Sequence, residues 1–103
     1  MIGSILSDMR HRAGLSQGDV SKRLKANGAT RTSVPDISAA ENDSPHRPTS
    51  VPLIVSLCDL YGEPDEAARL CAQLGKIHPV TAKALQDPDF AARVYQLAKE
   101  QTT

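Results

Sequence analysis

The side chains able to act as nucleophiles, acid–base groups or metal ligands are few and scattered in this chain of 103 residues. Cys58 and Cys71 are the two thiols, and His11, His46 and His78 each stand alone in the sequence. Catalysis or metal binding needs such groups to converge, as in a His-Glu-x-x-His segment, and no spacing of that kind occurs. A Gly-rich phosphate loop is also absent. We therefore expect no enzymatic activity, no metal and no cofactor.

The two thiols are expected to be buried rather than to serve redox or metal roles. Cys58 and Cys71 lie among Leu and Ala at helical spacing, where a free cysteine behaves as a small hydrophobic side chain. No apolar run is long enough to cross a bilayer, and the first residues lack the pattern of a signal peptide. We expect a cytoplasmic protein without a membrane partner, in which both thiols stay reduced.

Composition favours a small helical protein but does not indicate its binding partner. Twelve basic residues balance twelve acidic ones, so no strongly basic surface is indicated. Residues 1–50 hold seven Lys and Arg against five Asp and Glu, and the remainder holds five against seven. Aromatic residues make up only 3% of the chain, so the core must be built from Leu, Ile, Val and Ala, which suits short, closely packed helices.

Helical periodicity and capping signals account for most of the chain. Serines at 16, 33 and 50 stand before apolar stripes of helical period, where a hydroxyl can accept a free N–H. Asp19 and Asp36 follow the first two serines at the spacing of a capping box. Pro35 falls in a first helical turn, where its missing N–H costs nothing. The predicted helices lie within 2–13, 16–26, 34–42, 51–61, 64–74 and 79–86, with a last one from 88 onward.

These elements predict an all-α protein with a main domain and an extension. Five short helices occupy residues 1–75 and can close one core, and residues 76–103 form a C-terminal helical extension. The last helix carries Phe90, Val94 and Leu97 on one side. This stripe either folds back on the five helices or meets another subunit. We favour the second arrangement and assign the three residues to homodimerisation.

Three short segments occur in order in the first part of the chain: Gly-Leu-Ser-Gln at 14–17, Ile-Ser-x-x-Glu-Asn at 37–42 and Pro-Thr at 48–49. Over about residues 4–62 the chain resembles the XRE family, the Cro and phage-repressor type of bacterial helix-turn-helix regulator. Its longer turn and the segment Ser-Val-Pro-Asp-Ile-Ser at 33–38 resemble a long-turn subgroup of actinobacterial regulators. The resemblance implies a five-helix repressor-like bundle with additional C-terminal helices that dimerise, and a third helix that enters the major groove of double-stranded DNA.

The resemblance also implies candidate DNA contacts around the third helix. Gln17 resembles a residue that bonds a phosphate; the alternative is a surface side chain that completes the helix N-terminus. Arg31 and Arg47 either clamp phosphates or face solvent. Asn42 either points to the DNA backbone or ends the helix, and Glu41 is expected to maintain the fold. The predicted DNA-binding residues are Gln17, Arg31, Thr32, Ser33, Val34, Pro35, Ser38, Ala39, Asn42 and Arg47.

The predicted contact residues allow more than one explanation of sequence-specific recognition. Val34, Pro35 and Ala39 cannot hydrogen-bond a base edge, so direct readout there would be apolar contact with thymine methyl groups. Otherwise specificity comes from Ser38, the long turn with Arg31 and Thr32, and DNA shape, or it is weak. We expect a homodimeric transcriptional regulator on a pseudo-palindromic operator. The alternative is an antitoxin or adaptor that mainly binds another protein through its C-terminal helices.

Overall fold

Serine side chains start three of the helices in the computed structural model, which describes residues 2–102. Ser16 Oγ accepts the backbone N–H of Asp19 at 3.0 Å, and the Asp19 carboxylate accepts the N–H of Ser16 at 3.0 Å. Ser33 and Asp36 repeat this reciprocal capping, and Ser50 caps the helix after it. These bonds satisfy donors that have no partner within a helix. The three predicted helix starts are confirmed.

All regular secondary structure in residues 2–102 is α-helical, which confirms the all-α class. The helices are α1 (Gly3–Arg12), α2 (Gln17–Ala26), α3 (Val34–Glu41), α4 (Val51–Leu60), α5 (Glu66–Gln73), α6 (Pro79–Ala84) and α7 (Pro88–Thr102). Two predicted ends are wrong by two residues. α5 begins after the predicted start at Pro64, because the N–H groups of residues 66 and 67 bond carbonyls three residues earlier and close a turn. α6 ends before Gln86, where residues 86 and 87 form the same kind of turn.

The buried core is supplied by the first five helices, by Ile2 before α1 and by Tyr61 after α4. α3 packs against α1 and α2, and α4 packs against α2 and α5. Ile37 and Ala40 carry the inner face of α3 into this core. The largest fully buried side chains are Ile2, Leu6, Met9, Val20, Leu24, Ile37, Ile54, Leu57, Cys58, Leu70 and Cys71. This packing fixes α3 by one face and leaves its N-terminal end at the surface.

The two cysteines are part of the core, as predicted. Cys58 on α4 and Cys71 on α5 are free thiols and are both fully buried. Burial raises the pKa of Cys58 to about 12 and also raises the pKa of Cys71. Because the thiolate is the reactive form, neither side chain is activated as a nucleophile at neutral pH.

The last two helices do not complete the core. No residue of α6 or α7 is buried. Phe90 is 39% exposed and Leu97 is 52% exposed, while Val94 is half-buried. In this structure the stripe therefore does not fold back into the bundle, and its pairing with another subunit stays a prediction. No helix within residues 2–102 combines the length and apolar character needed to cross a bilayer.

Candidate nucleic-acid interface

The N-terminal end of α3 is capped and open to solvent. Ser33 donates its hydroxyl to the Asp36 carboxylate at 2.6 Å and accepts the N–H of Asp36 at 3.4 Å. Val34, in the first helical position, is 41% exposed, and Pro35 is exposed beside it. Helix N-termini carry a partial positive charge from their aligned peptide groups. The start, or tip, of α3 therefore combines the positive end of the helix dipole with the Asp36 carboxylate and a small exposed apolar surface.

Two arginines lie close to this tip. Arg47 Nη1 stands 3.3 Å from Asp36 Oδ1 in a largely exposed ion pair. Hydrogen bonds from Ser33 lower the pKa of Asp36, and the nearby charges of Arg47 and Arg31 lower it further. Arg31 is exposed and forms no ion pair within 4 Å among the described residues. The linker between α2 and α3 (residues 27–33) thus places Arg31 where its charge acts on Asp36, and the loop after α3 brings the Arg47 guanidinium to the same carboxylate.

Arg31 and Thr32 differ in their access to a partner, although they are neighbours in the linker. Arg31 adopts a left-handed backbone conformation, with φ of 56°. Thr32 is only 3% exposed, and its hydroxyl has no hydrogen-bond partner among residues 2–102. The surface around α3 therefore includes Arg31 and leaves out the side chain of Thr32.

Gln17 forms a hydrogen bond that the sequence did not indicate. It is half-buried at the start of α2, and its Nε2 donates to Glu41 Oε1 at 3.1 Å. This bond ties the first turn of α2 to the last turn of α3. Neither of its predicted roles, at a phosphate or at the helix N-terminus, includes this contact. Ser16 provides the N-terminal cap instead.

A charged cluster lies at the C-terminal end of α3, where α1, α2 and α3 meet. Arg10 binds Glu41 through two bonds, Nε to Oε2 at 2.7 Å and Nη2 to Oε1 at 3.0 Å, and also donates to the carbonyl of Leu15 at 2.9 Å. The Arg10 and Glu41 side chains are only 11% and 6% exposed. Burial alone would raise the pKa of Glu41, but the bonds from Arg10 and Gln17 outweigh it and hold the pKa below its usual value. Glu41 therefore makes its bonds inside the protein, as the expected fold-maintaining role requires.

Asn42 caps the same C-terminal end of α3. Its Nδ2 donates to the carbonyl of Ser38 at 2.8 Å and to the Ser38 hydroxyl oxygen at 3.2 Å. Of the two roles proposed for Asn42, ending the helix is the one with bonds in the structure. Ala39, one residue from Ser38, is half-buried on α3.

Among the described residues, the N-terminal end of α3 is the best candidate for a functional site. No group of three or more His, Cys, Asp or Glu side chains converges as a metal site within residues 2–102. Comparisons with protein-family models, with curated proteins and with solved structures give no match. The geometry around α3 is therefore the basis for assigning a function.

Proposed function

We propose that the protein is a double-stranded DNA-binding transcriptional regulator of the XRE helix-turn-helix type. In this proposal α2, the linker 27–33 and α3 form the helix-turn-helix, and the N-terminal end of α3 enters the major groove. The observation that carries the proposal is the capped, exposed tip of α3 with Arg31 and Arg47 close to it. The opposite face of α3 is held in the core by Ile37 and Ala40, so the tip is rigidly positioned.

The proposed contacts are of two kinds, those to phosphates and those to base edges. Arg31 and Arg47 bind phosphates beside the groove, where guanidinium groups supply affinity without reading sequence. Arg47 keeps its ion pair with Asp36 and binds a phosphate with the remaining N–H donors of its guanidinium, whereas Arg31 has no ion pair among residues 2–102. Base edges meet the residues on the outer side of α3. These are Ser33, Val34, Pro35, Ser38 and Ala39, while Gln17 and Asn42 are proposed to contact the DNA backbone.

Replacing Arg31 with alanine tests the phosphate contacts. Arg31→Ala is expected to weaken binding to every DNA sequence and to reduce the slope of log K against log salt by about one. Fluorescence anisotropy with a labelled duplex over a salt series measures both quantities. Lys83→Ala on α6 is the matched control, since it removes an exposed cation away from α3 and leaves the slope unchanged. An unchanged slope for Arg31→Ala would remove this residue from the interface.

The proposal includes a homodimer formed through α7. Two copies of α3 would then face successive turns of a roughly palindromic operator. Phe90, Val94 and Leu97 recur at helical spacing along α7, and this stripe is incompletely buried in the single chain. A stripe of this kind fits pairing of two helices.

A charge placed in the stripe tests the dimer. Leu97→Asp is expected to give a folded monomer in sedimentation, because a carboxylate cannot be buried without a partner. Tyr95→Asp adds the same charge to the opposite face of α7 and should leave the dimer intact. A wild-type monomer, or equal effects of the two substitutions, contradicts this assignment.

An adaptor or antitoxin is the second candidate. The exposed apolar residues of α7 favour it because they can bind a protein partner. The balanced net charge does not specifically favour DNA. Weak, sequence-independent DNA binding together with stable binding of another protein would support this function over the first.

A further inference from the structure

The hydrogen-bonding side chains of α3 are already engaged within the protein. Asp36 accepts from Ser33 and pairs with Arg47, and Glu41 accepts from Arg10 and Gln17. Neither carboxylate is therefore available for a base edge without breaking contacts that cap or anchor the helix.

Ser38 is the remaining polar side chain of α3. Its oxygen accepts from Asn42, which leaves one hydroxyl proton to donate. A serine hydroxyl bonds a variety of base edges and therefore distinguishes them poorly. The buried position of Thr32 removes a second hydroxyl from the groove-facing surface.

The groups left on the outer side of α3 are apolar. Val34 and Pro35 are exposed in the first turn, and Ala39 lies one helical turn after Pro35 on the same side. Among the unmodified base edges of the major groove, the apolar group is the C5 methyl of thymine. Cytosine methylated at C5 presents the same methyl group at the same ring position.

We infer that α3 distinguishes DNA sequences by contact with the C5 methyl group of a pyrimidine, with Val34 as the principal reader. The inference depends on the proposed DNA-binding function and adds the chemical group that is recognised. Arg31 and Arg47 hold the duplex, and Val34 with Pro35 forms the apolar surface that receives the methyl group. The shared ligand chemistry is a C5-methylpyrimidine, supplied by thymine or by 5-methylcytosine.

The test begins with the tightest duplex selected from unmethylated random DNA. Each thymine is then replaced in turn by deoxyuracil, which removes the methyl group and keeps the pairing. We expect at least one position in each half-site at which the replacement weakens binding about fourfold, the effect of one buried methyl group. At that position cytosine should bind less tightly than 5-methylcytosine. Tighter binding of 5-methylcytosine than of thymine would identify methylated DNA as the preferred source.

Substitution of Val34 assigns the effect to its reader. Val34→Ala keeps a residue that is compatible with the first helical turn, removes two methyl groups and should reduce the preference for thymine over uracil duplexes. Val80→Ala, at an exposed position on α6, is the control and should keep the full thymine preference. A thymine preference that survives Val34→Ala unchanged overturns the assignment to Val34.

The outcomes separate this inference from the proposed function. Absence of binding to any duplex contradicts the DNA-binding function itself. Tight, salt-dependent binding in which no uracil replacement has an effect contradicts methyl recognition alone and points to DNA shape.

Discussion

Glu41→Ala is expected to lower the free energy of unfolding by about 3 kcal/mol, because it leaves the Arg10 charge buried without its partner. Glu41 accepts two of the three hydrogen bonds of the Arg10 guanidinium and one from the Gln17 amide, so one side chain joins three helices. Urea denaturation followed by circular dichroism measures the change.

An exposed ion pair provides the matched control. Glu63→Ala breaks the pair with Arg12, whose side chain is 65% exposed, and should cost less than about 1 kcal/mol. The double substitution Arg10→Met with Glu41→Leu should recover most of the lost stability, since apolar residues of similar volume replace a buried pair without great cost. Equal effects of Glu41→Ala and Glu63→Ala would show that the cluster is not the anchor of α3.

The contribution of Glu41 to stability depends on pH. Its pKa in the folded protein lies below the ordinary value of 4.5. The carboxylate therefore stabilises the fold fully above about pH 4.5, and this stabilisation is lost as the pH falls through the lower folded pKa. The difference between wild type and Glu41→Ala should accordingly be constant near neutrality and shrink in acid.

Gly3→Ala is expected to destabilise the protein by about 2 kcal/mol, although alanine is normally the better helix former. A methyl group at Gly3 would overlap the backbone carbonyl of Glu41, with its carbon only 2.7 Å away. The Gly3 N–H also donates to the Asp43 carboxylate at 2.9 Å, so displacement of α1 would lengthen this bond. The clash is with backbone, which cannot rotate out of the way.

The opposite sign is expected at Gly18, in the first turn of α2. A methyl group there meets only Ser16 Oγ at 3.7 Å, an ordinary contact. Gly18→Ala should therefore raise the free energy of unfolding by about 0.5–1 kcal/mol. Thermal unfolding of the two variants compares them directly. Stabilisation by both alanines would contradict the close approach of α1 to the end of α3.

The helix starts were predictable because capping depends on residues that are close together in the sequence. The capping boxes at Ser16 and Ser33 need only a carboxylate three residues further on, and the structure shows both. The start of α5 was missed by two residues because Pro64 is also compatible with the turn that precedes a helix. Sequence periodicity alone does not distinguish these two positions for a proline.

The charged cluster was only partly predictable, since its partners are distant in the sequence. Arg10 and Glu41 are 31 positions apart, and composition counts Arg10 as one more surface cation. A signal was present, because Arg10 lies four residues after Leu6 on the buried side of α1. The burial of Thr32 had no comparable signal, since it depends on how the linker folds.

Ion pairs within the protein reduce the number of basic side chains in residues 1–50 that are available to DNA. The basic excess of residues 1–50 includes Arg10, which is neutralised in the interior, and Arg12 and Arg47, which pair with carboxylates. Arg31 is therefore the cation near α3 that is most available to a phosphate.

The most direct test of the account is selection of bound duplexes from a random DNA pool, followed by measurement of the best one over a salt series. We predict a two-fold symmetric motif with half-sites about one helical turn apart, bound at nanomolar strength with affinity that falls as salt rises. Only weak binding that is equal for all sequences would contradict a sequence-specific regulator and direct attention to a protein partner.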